Sequence, residues 1–374
     1  MKTTVTMIEP NASSKNISTN WAQVASLGAL NAAVAISWIA YHNYQPAVVK
    51  KFNFFDLAYF ITIVQALVLV VIPPLAGLAG DYFIKKNGKR LLVFTAGTSA
   101  TAMIFMAVAG LVNLDPLSSV KWVLPVMIVL WLIFMNVFHS PANSLLELFA
   151  PTSGLPIAMA VITMINDVIY GLEPIVVDLV NFIGPTLTFV TGGVLLVITG
   201  VIFIRTTRNI PVENSSEKAE RKSNYAAILL VGLAFGLITA FIFKVLPEIL
   251  SIKLPEYDSK IFGGNHFSTV ILLIAAFLAI PSSKIAENTG LIQSLIVGIV
   301  LSCISILMII FNDIKGALQL AALCLGLGYS LISVSALPFT LQNISSRNLT
   351  FGVGMFFGSL EIAPGIFDVF LFKN

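Results

Sequence analysis

Charge is scarce in this sequence. Asp, Glu, Lys and Arg make up 10% of its 374 residues, against about 25% in an average soluble domain. With so few, the chain cannot wrap a single core in a charged surface, and a water-soluble globular fold is excluded. Cysteine and histidine are nearly missing as well. Two Cys, Cys303 and Cys324, both inside apolar runs, and three His leave no ligand cluster for zinc or an iron–sulfur centre and no disulfide framework. No metal and no cofactor is expected. The formal net charge is only +3, and the basic residues sit in short connectors rather than on an aromatic-studded face, so nucleic acid is not an expected partner. Neither a nucleotide-binding loop nor a nucleophile–base pair is visible, and the chain is not expected to be an enzyme.

What it has is apolar length. Hydrophobic residues reach 57% and the mean hydropathy is +0.94. A membrane-crossing helix needs roughly 20 mostly apolar residues, whereas a barrel would show alternating segments of about ten. The runs are long and continuous, which predicts an all-α polytopic membrane protein. Spans 1 to 11 are expected near 21–44, 54–80, 90–112, 122–149, 155–181, 184–205, 224–247, 266–283, 290–311, 315–341 and 348–371. A polar 20-residue tail precedes span 1, and its apolar stretch exceeds the roughly 7–15 residues of a signal h-region. It is expected to stay in the mature chain.

Connectors rich in Lys and Arg remain cytoplasmic. With the N-terminus inside, 13 Lys and Arg fall on the cytoplasmic side and seven on the other, and both dense clusters, 85–90 and 218–222, lie inside. Trp21 and Trp122 stand at span entrances, where indoles anchor at the interface. The division expected is a cytoplasmic tail (1–20), a six-helix bundle (21–205), a polar cytoplasmic linker (206–223) and a bundle of about five helices (224–374). Such a linker between two bundles suggests the two-halved transporter plan. The second half is one helix short of it, which would leave a chain ending at Asn374 with its C-terminus outside.

Polar residues line some of these helices in stripes. At about 100° per residue, positions seven or eleven apart return to one face within about 20°. Span 4 places Asn136, His139, Ser140, Asn143 and Glu147 at offsets 0, 3, 4, 7 and 11, and span 1 places Asn31, Trp38, His42 and Gln45 at 0, 7, 11 and 14. Span 10 carries a weaker stripe of Tyr329, Ser333 and Thr340. Ser and Asn in membranes commonly bond neighbouring helices for about 0.6 kcal/mol each. An ionisable residue inside a stripe, however, is costly unless it faces a cavity. The candidate solute-binding set is therefore Asn31, Trp38, His42, Asn136, His139, Asn143, Tyr329 and Ser333. Trp38 can stack on a neutral hydroxylated solute while amides and imidazoles bond to it.

Span 5 holds Asp167, Glu173 and Asp178, and span 11 holds Glu361 and Asp368. Asp167 and Glu361 lie near mid-depth, where an unpaired carboxylate costs several kcal/mol and must protonate or pair. These two are the proton-site candidates. Glu173 and Asp178 read as a hydrated mouth, and Lys244 with Glu248 as an intrahelical pair at a wet helix end.

The connector after span 2 runs Pro73-Pro-Leu-Ala-Gly-Leu-Ala-Gly-Asp-Tyr-Phe-Ile-Lys-Lys-Asn-Gly-Lys-Arg90. Its Gly77 and Gly80 permit close helix approach, Asp81 can latch onto donors of a neighbouring helix, and Gly88 turns the chain into Lys89 and Arg90. Gly77-x-x-x-Asp81 followed by Gly88-Lys89-Arg90 resembles the loop motif of the major facilitator superfamily. The long gap from Asp81 to Gly88 is similar to the variant in its sucrose-transporter and glycoside-pentoside-hexuronide branches. Two further segments carry the resemblance. Pro141-Ala-Asn-Ser-Leu-Leu-Glu-Leu148 is similar to the Pro-x-Arg-Ala-Leu-Leu-x-Asp of sucrose carriers, with Asn143 where those place an arginine. Gly328-Tyr-Ser-Leu-Ile-Ser-Val-Ser-Ala-Leu-Pro-Phe339 is similar to the Gly-Trp-x-x-x-x-Ser-x-Pro-Tyr of their span 10. Span 2 offers Gln65 at mid-depth instead of the paired acids of sodium-coupled members.

The resemblance implies a monomeric secondary transporter of the plasma (inner) membrane. Its expected action is proton-coupled symport of a small neutral, sugar-like solute, with the 77–90 loop as gate. The alternatives are a proton antiporter exporting a drug or metabolite, or a non-transporting assembly or pigment-delivery protein of the same fold.

Overall fold

The computed structural model describes residues 18–51, 55–113, 122–209, 222–253 and 267–371, and every regular element among them is helical. Eleven helical runs are long and apolar enough to cross a membrane, the number expected from the sequence. The tail (1–17) and most of the linker (210–221) lie outside the described residues. The end of the molecule that bears Asn20, Gly88, Phe149, Arg208, Asn224 and Asn343 is termed the inner end.

Most boundaries fall within a few residues of expectation, and the exceptions have local causes. Span 2 runs to Asn87 instead of ending near 80, so Asp81 is helical. Lys85 and Lys86 fill its last turn, where cations complement the helix dipole. Gly88 then takes the left-handed φ of +65° that ends a helix, its N–H donating to Ile84 O at 2.9 Å.

Four spans are not continuous helices. Span 4 breaks at Phe138 and Leu145, span 5 at Leu172 and span 11 at Glu361, while span 7 loosens into a π-turn over Phe241–Val245. A proline follows each main interruption within a few residues, namely Pro141, Pro174, Pro364 and Pro247. Each ring removes an N–H and crowds the carbonyl four residues earlier. Span 5, expected as one helix over 155–181, is thus two, Leu155–Gly171 and Glu173–Ile183. Proline does not always break a span. Pro73, Pro74, Pro281 and Pro338 lie inside unbroken helices.

The two halves share a feature at the inner end. Asn20 N–H donates to Phe149 O at 2.7 Å, tying the start of span 1 to the end of span 4, and Asn224 N–H donates to Asn343 O at 2.9 Å, tying span 7 to span 10. A short 3-10 turn precedes both span 5 (Thr152–Gly154) and span 11 (Ser346–Asn348).

The halves meet along two seams, span 2 on span 11 and span 5 on spans 8 and 10. Association in lipid lacks a hydrophobic drive and depends on small residues that let backbones approach. Gly77 faces the Thr350 carbonyl and Gly354 faces the Pro73 carbonyl, so a Cβ on either would overlap a backbone oxygen. Apolar side chains dominate the outer surface, Met103 at 71% exposed and Phe277 at 83% among them, as a protein solvated by acyl chains requires.

Candidate functional site

Between the halves the described side chains form two polar groups and a latch. The first group belongs to spans 1 and 4, which the break at Phe138 brings together. Asn31 Nδ2 donates to Leu27 O at 3.0 Å and to Asn143 Oδ1 at 3.3 Å. His139 Nε2 lies 3.3 Å from Asn31 Oδ1, and Asn143 Nδ2 donates to His139 O at 2.9 Å. Asn136 is less connected, donating to Leu132 O at 2.8 Å within its own helix. The His139 ring packs 4.4 Å from Phe357 of span 11, so this group faces the other half. Of the polar stripes, then, Asn31, His139 and Asn143 form a closed triad, and much of their hydrogen-bonding capacity is already used.

Further out, Trp38 stacks on His42 with ring centroids 5.6 Å apart, and Tyr41 stacks on Trp131 at 4.5 Å. Tyr41 Oη donates to Gln65 Oε1 at 3.1 Å. His42 is exposed and lies within electrostatic range of Lys244 and Asp368 in the other half.

The second group sits on spans 5, 7, 10 and 11. Asp167 lies on the face of span 5, with Ala160, Met164 and Gly171, that meets spans 8 and 10. It is 6% exposed. Among the described residues its Oδ2 has no hydrogen-bond partner, and the same is true of Thr163 Oγ1, Asn166 Oδ1 and Ser333 Oγ. Tyr329 of span 10 lies within electrostatic range of Asp167 and Tyr170, and Thr239 approaches its hydroxyl. Tyr170 in turn senses Glu361. Glu361 occupies the break of span 11 itself. Asp167 thus lies within electrostatic range of Tyr329, and Glu361 within range of Tyr170.

Lys244, expected to pair with Glu248 along its own helix, reaches across to Asp368 of span 11, Nζ to Oδ1 at 2.6 Å. The π-turn at Phe241–Val245 advances the side chains beyond an α-helical register, and such bulges often occur at functional positions. Neither partner is fully buried, at 35% and 26% exposed. Asp178, exposed near the outer end, fits a hydrated mouth.

The latch closes the inner end. Asp81 Oδ1 accepts from Thr350 N–H at 3.1 Å and Oδ2 from Phe351 N–H at 2.9 Å. Both amides belong to the first turn of span 11, where N–H groups lack intrahelical partners and the dipole favours an anion. A carboxylate of one half thus caps a helix of the other. Lys85 Nζ to Asn348 Oδ1 at 3.4 Å and Ser144 Oγ to Thr350 Oγ1 at 3.4 Å add weaker ties. Gly88, Lys89 and Arg90, the rest of the expected gate motif, line a cavity with residues of spans 3, 4 and 6.

Sequence reasoning missed Tyr170, Thr239, Tyr41 and Trp131. Tyr170 could have been found one helical turn beyond Asn166. The others stand on faces that look apolar in isolation.

The architecture, two helical groups around a polar centre and tied together at one end, is that of a two-bundle membrane transporter fold. The sequence profile of the Major Facilitator Superfamily matches residues 20–366, and the chain belongs to that superfamily. No curated protein matches the chain. Among solved structures, the human organic anion transporter MFSD10 (TETRAN) is similar over 94% of each chain, at 12% identity and a TM-score of 0.68. A variant of the E. coli fucose:proton symporter FucP is similar over 94% of this chain and 97% of its own, at 12% identity and a TM-score of 0.63. At these identities the likeness concerns the fold.

Proposed function

We propose that this protein is a proton-coupled symporter of a small neutral, sugar-like solute, working by alternating access. It acts as a monomer in the plasma (inner) membrane with its N-terminus in the cytoplasm. The observation that carries the reading is Asp167: a carboxyl 6% exposed, at the seam between the halves, with an oxygen that no described group bonds. A buried charge of this kind is expensive unless protonated or paired. When the seam is dry the group holds a proton, and when a cavity hydrates it the proton leaves. Glu361 is the second site, reached through Tyr170 and Tyr329. Trp38 and His42 offer the solute an aromatic face, and Tyr329, Ser333 and the outward edge of the Asn31–His139–Asn143 triad, with Asn136 above it, offer hydrogen bonds. The Asp81 latch holds the inner end shut while solute and proton load. The fucose:proton symporter is a neighbour in fold that carries out the same kind of coupling.

Uptake of labelled neutral sugars and polyols into proteoliposomes, with and without an imposed pH gradient, tests this. Accumulation above equilibrium only with the gradient is expected. Equal uptake under both conditions for every solute would overturn it. One observation favours a second reading, exchange of an organic anion: Lys244 is about a third exposed and lies within electrostatic range of His42 in the other half. Competition by monocarboxylates but not by sugars would select that reading.

A further inference from the structure

The inner end of the first half holds a cavity that the transport pathway does not use. It has a volume of about 370 Å³ and is lined by Gly88, Lys89, Arg90, Leu91, Leu92, Thr95, Leu145, Thr207 and Arg208, within the size range of small-molecule sites. Lys89 and Arg208 bring two cations to it, and none of its lining residues is acidic. The fold brings the cations together from opposite ends of the half. The left-handed turn at Gly88 sends Lys89 and Arg90 across the start of span 3, and span 6, packed against span 3, ends at Thr207 with Arg208 as its cap. Like charges gathered in one recess repel and favour an anion. Direct hydroxyl donation is limited, because Thr95 Oγ1 donates to Leu91 O at 2.8 Å and Thr207 Oγ1 to Phe203 O, so the cations are the main ligating groups.

The walls distinguish the source of the anion. Leu91, Leu92 and Leu145 form an apolar side to the recess. Leu92 is 40% exposed, and Val201 at 41% and Ile202 at 44% stand about two turns before Arg208 on span 6, which packs against span 3. A soluble anion has no use for such a wall, whereas a phospholipid can place its phosphate among the cations and its glycerol and first methylenes on the leucines. Basic pockets between transmembrane helices at this depth suit acidic headgroups. We propose that this cavity is a binding site for the headgroup of an acidic phospholipid. The site is independent of the transport assignment, since none of its lining residues touches the Asp167 or Glu361 cluster.

The test is native mass spectrometry of the purified full chain, titrated with phosphatidylglycerol, phosphatidylcholine or sodium phosphate. Wild type is compared with Lys89→Gln/Arg208→Gln and with the charge-keeping Lys89→Arg/Arg208→Lys, each checked for a single symmetric peak on gel filtration. Wild type is expected to retain one phosphatidylglycerol in preference to phosphatidylcholine. The Gln pair should need about thirtyfold more lipid for the same occupancy, given the usual contribution of a basic residue near an acidic headgroup. The charge-keeping pair should match wild type, which separates loss of charge from loss of shape. Equal retention of phosphatidylglycerol by wild type and the Gln pair would overturn the proposal. So would equal affinity for phosphatidylcholine, or displacement of the lipid by equimolar inorganic phosphate.

Discussion

The polar group of spans 1 and 4 and the polar group of spans 5, 7, 10 and 11 differ in how fully their hydrogen bonds are met. Asn31, His139 and Asn143 bond one another and nearby carbonyls at 2.9–3.3 Å. Around Asp167, by contrast, four buried oxygens have no partner among the described residues: its own Oδ2, Thr163 Oγ1, Asn166 Oδ1 and Ser333 Oγ. Native proteins leave few buried polar atoms unmet, and each calls for an explanation. Under the proposed function, the first group is a scaffold with one solute-facing edge, and the second is where a proton comes and goes.

That contrast is broken most decisively by neutralising the second group. Asp167→Asn and Glu361→Gln are each expected to bring solute accumulation driven by a pH gradient down to the equilibrium ratio while leaving downhill counterflow near wild type, as measured with labelled solute in proteoliposomes. Asp81→Asn should come next. It removes the charge that caps span 11 without touching the solute site, so it should change the turnover rate by the equivalent of about 1–3 kcal/mol, the usual size of a coupling between states. Solute affinity should move less. Rapid-mixing uptake alongside equilibrium binding reads both numbers, and lost binding with an unchanged saturated rate would contradict the latch.

Smaller effects sharpen the comparison. A double-mutant cycle on Lys244→Met and Asp368→Asn, read by saturated uptake, should show positive coupling of about 0.5–3 kcal/mol, because either single change leaves a charge beside Glu361 without its counter-ion. Asn31→Ala should matter least to folding, at about 0.6 kcal/mol for one interhelical hydrogen bond, visible as a small fall in detergent thermostability with a modest loss of affinity. A large loss of coupling in Asn31→Ala would erase the distinction between the two groups.

The fold was largely legible, because hydropathy and the need to satisfy every backbone group in lipid leave few choices. The eleven spans and the reach of Asp81 to a neighbouring helix could be read from residue type and spacing. The partners could not. Lys244 has Glu248 one turn away in sequence, and only the π-turn before Pro247 and the approach of span 11 show that Asp368 is its counter-ion. Span 5 looked continuous because a proline within an apolar run, such as Pro73 or Pro338, can leave its helix whole. Packing against neighbouring spans decides which prolines interrupt a helix, and no pattern within one span contains it. The same limit hid Tyr170, whose link to Glu361 crosses between halves.

The central claim, that Asp167 exchanges a proton during solute movement, is tested most directly by pyranine trapped in proteoliposomes with no imposed pH gradient. For a solute that the wild type transports, its inward gradient should acidify the lumen, and Asp167→Asn should carry the solute downhill with no change in pyranine signal. Acidification of equal rate and extent in Asp167→Asn would contradict the account.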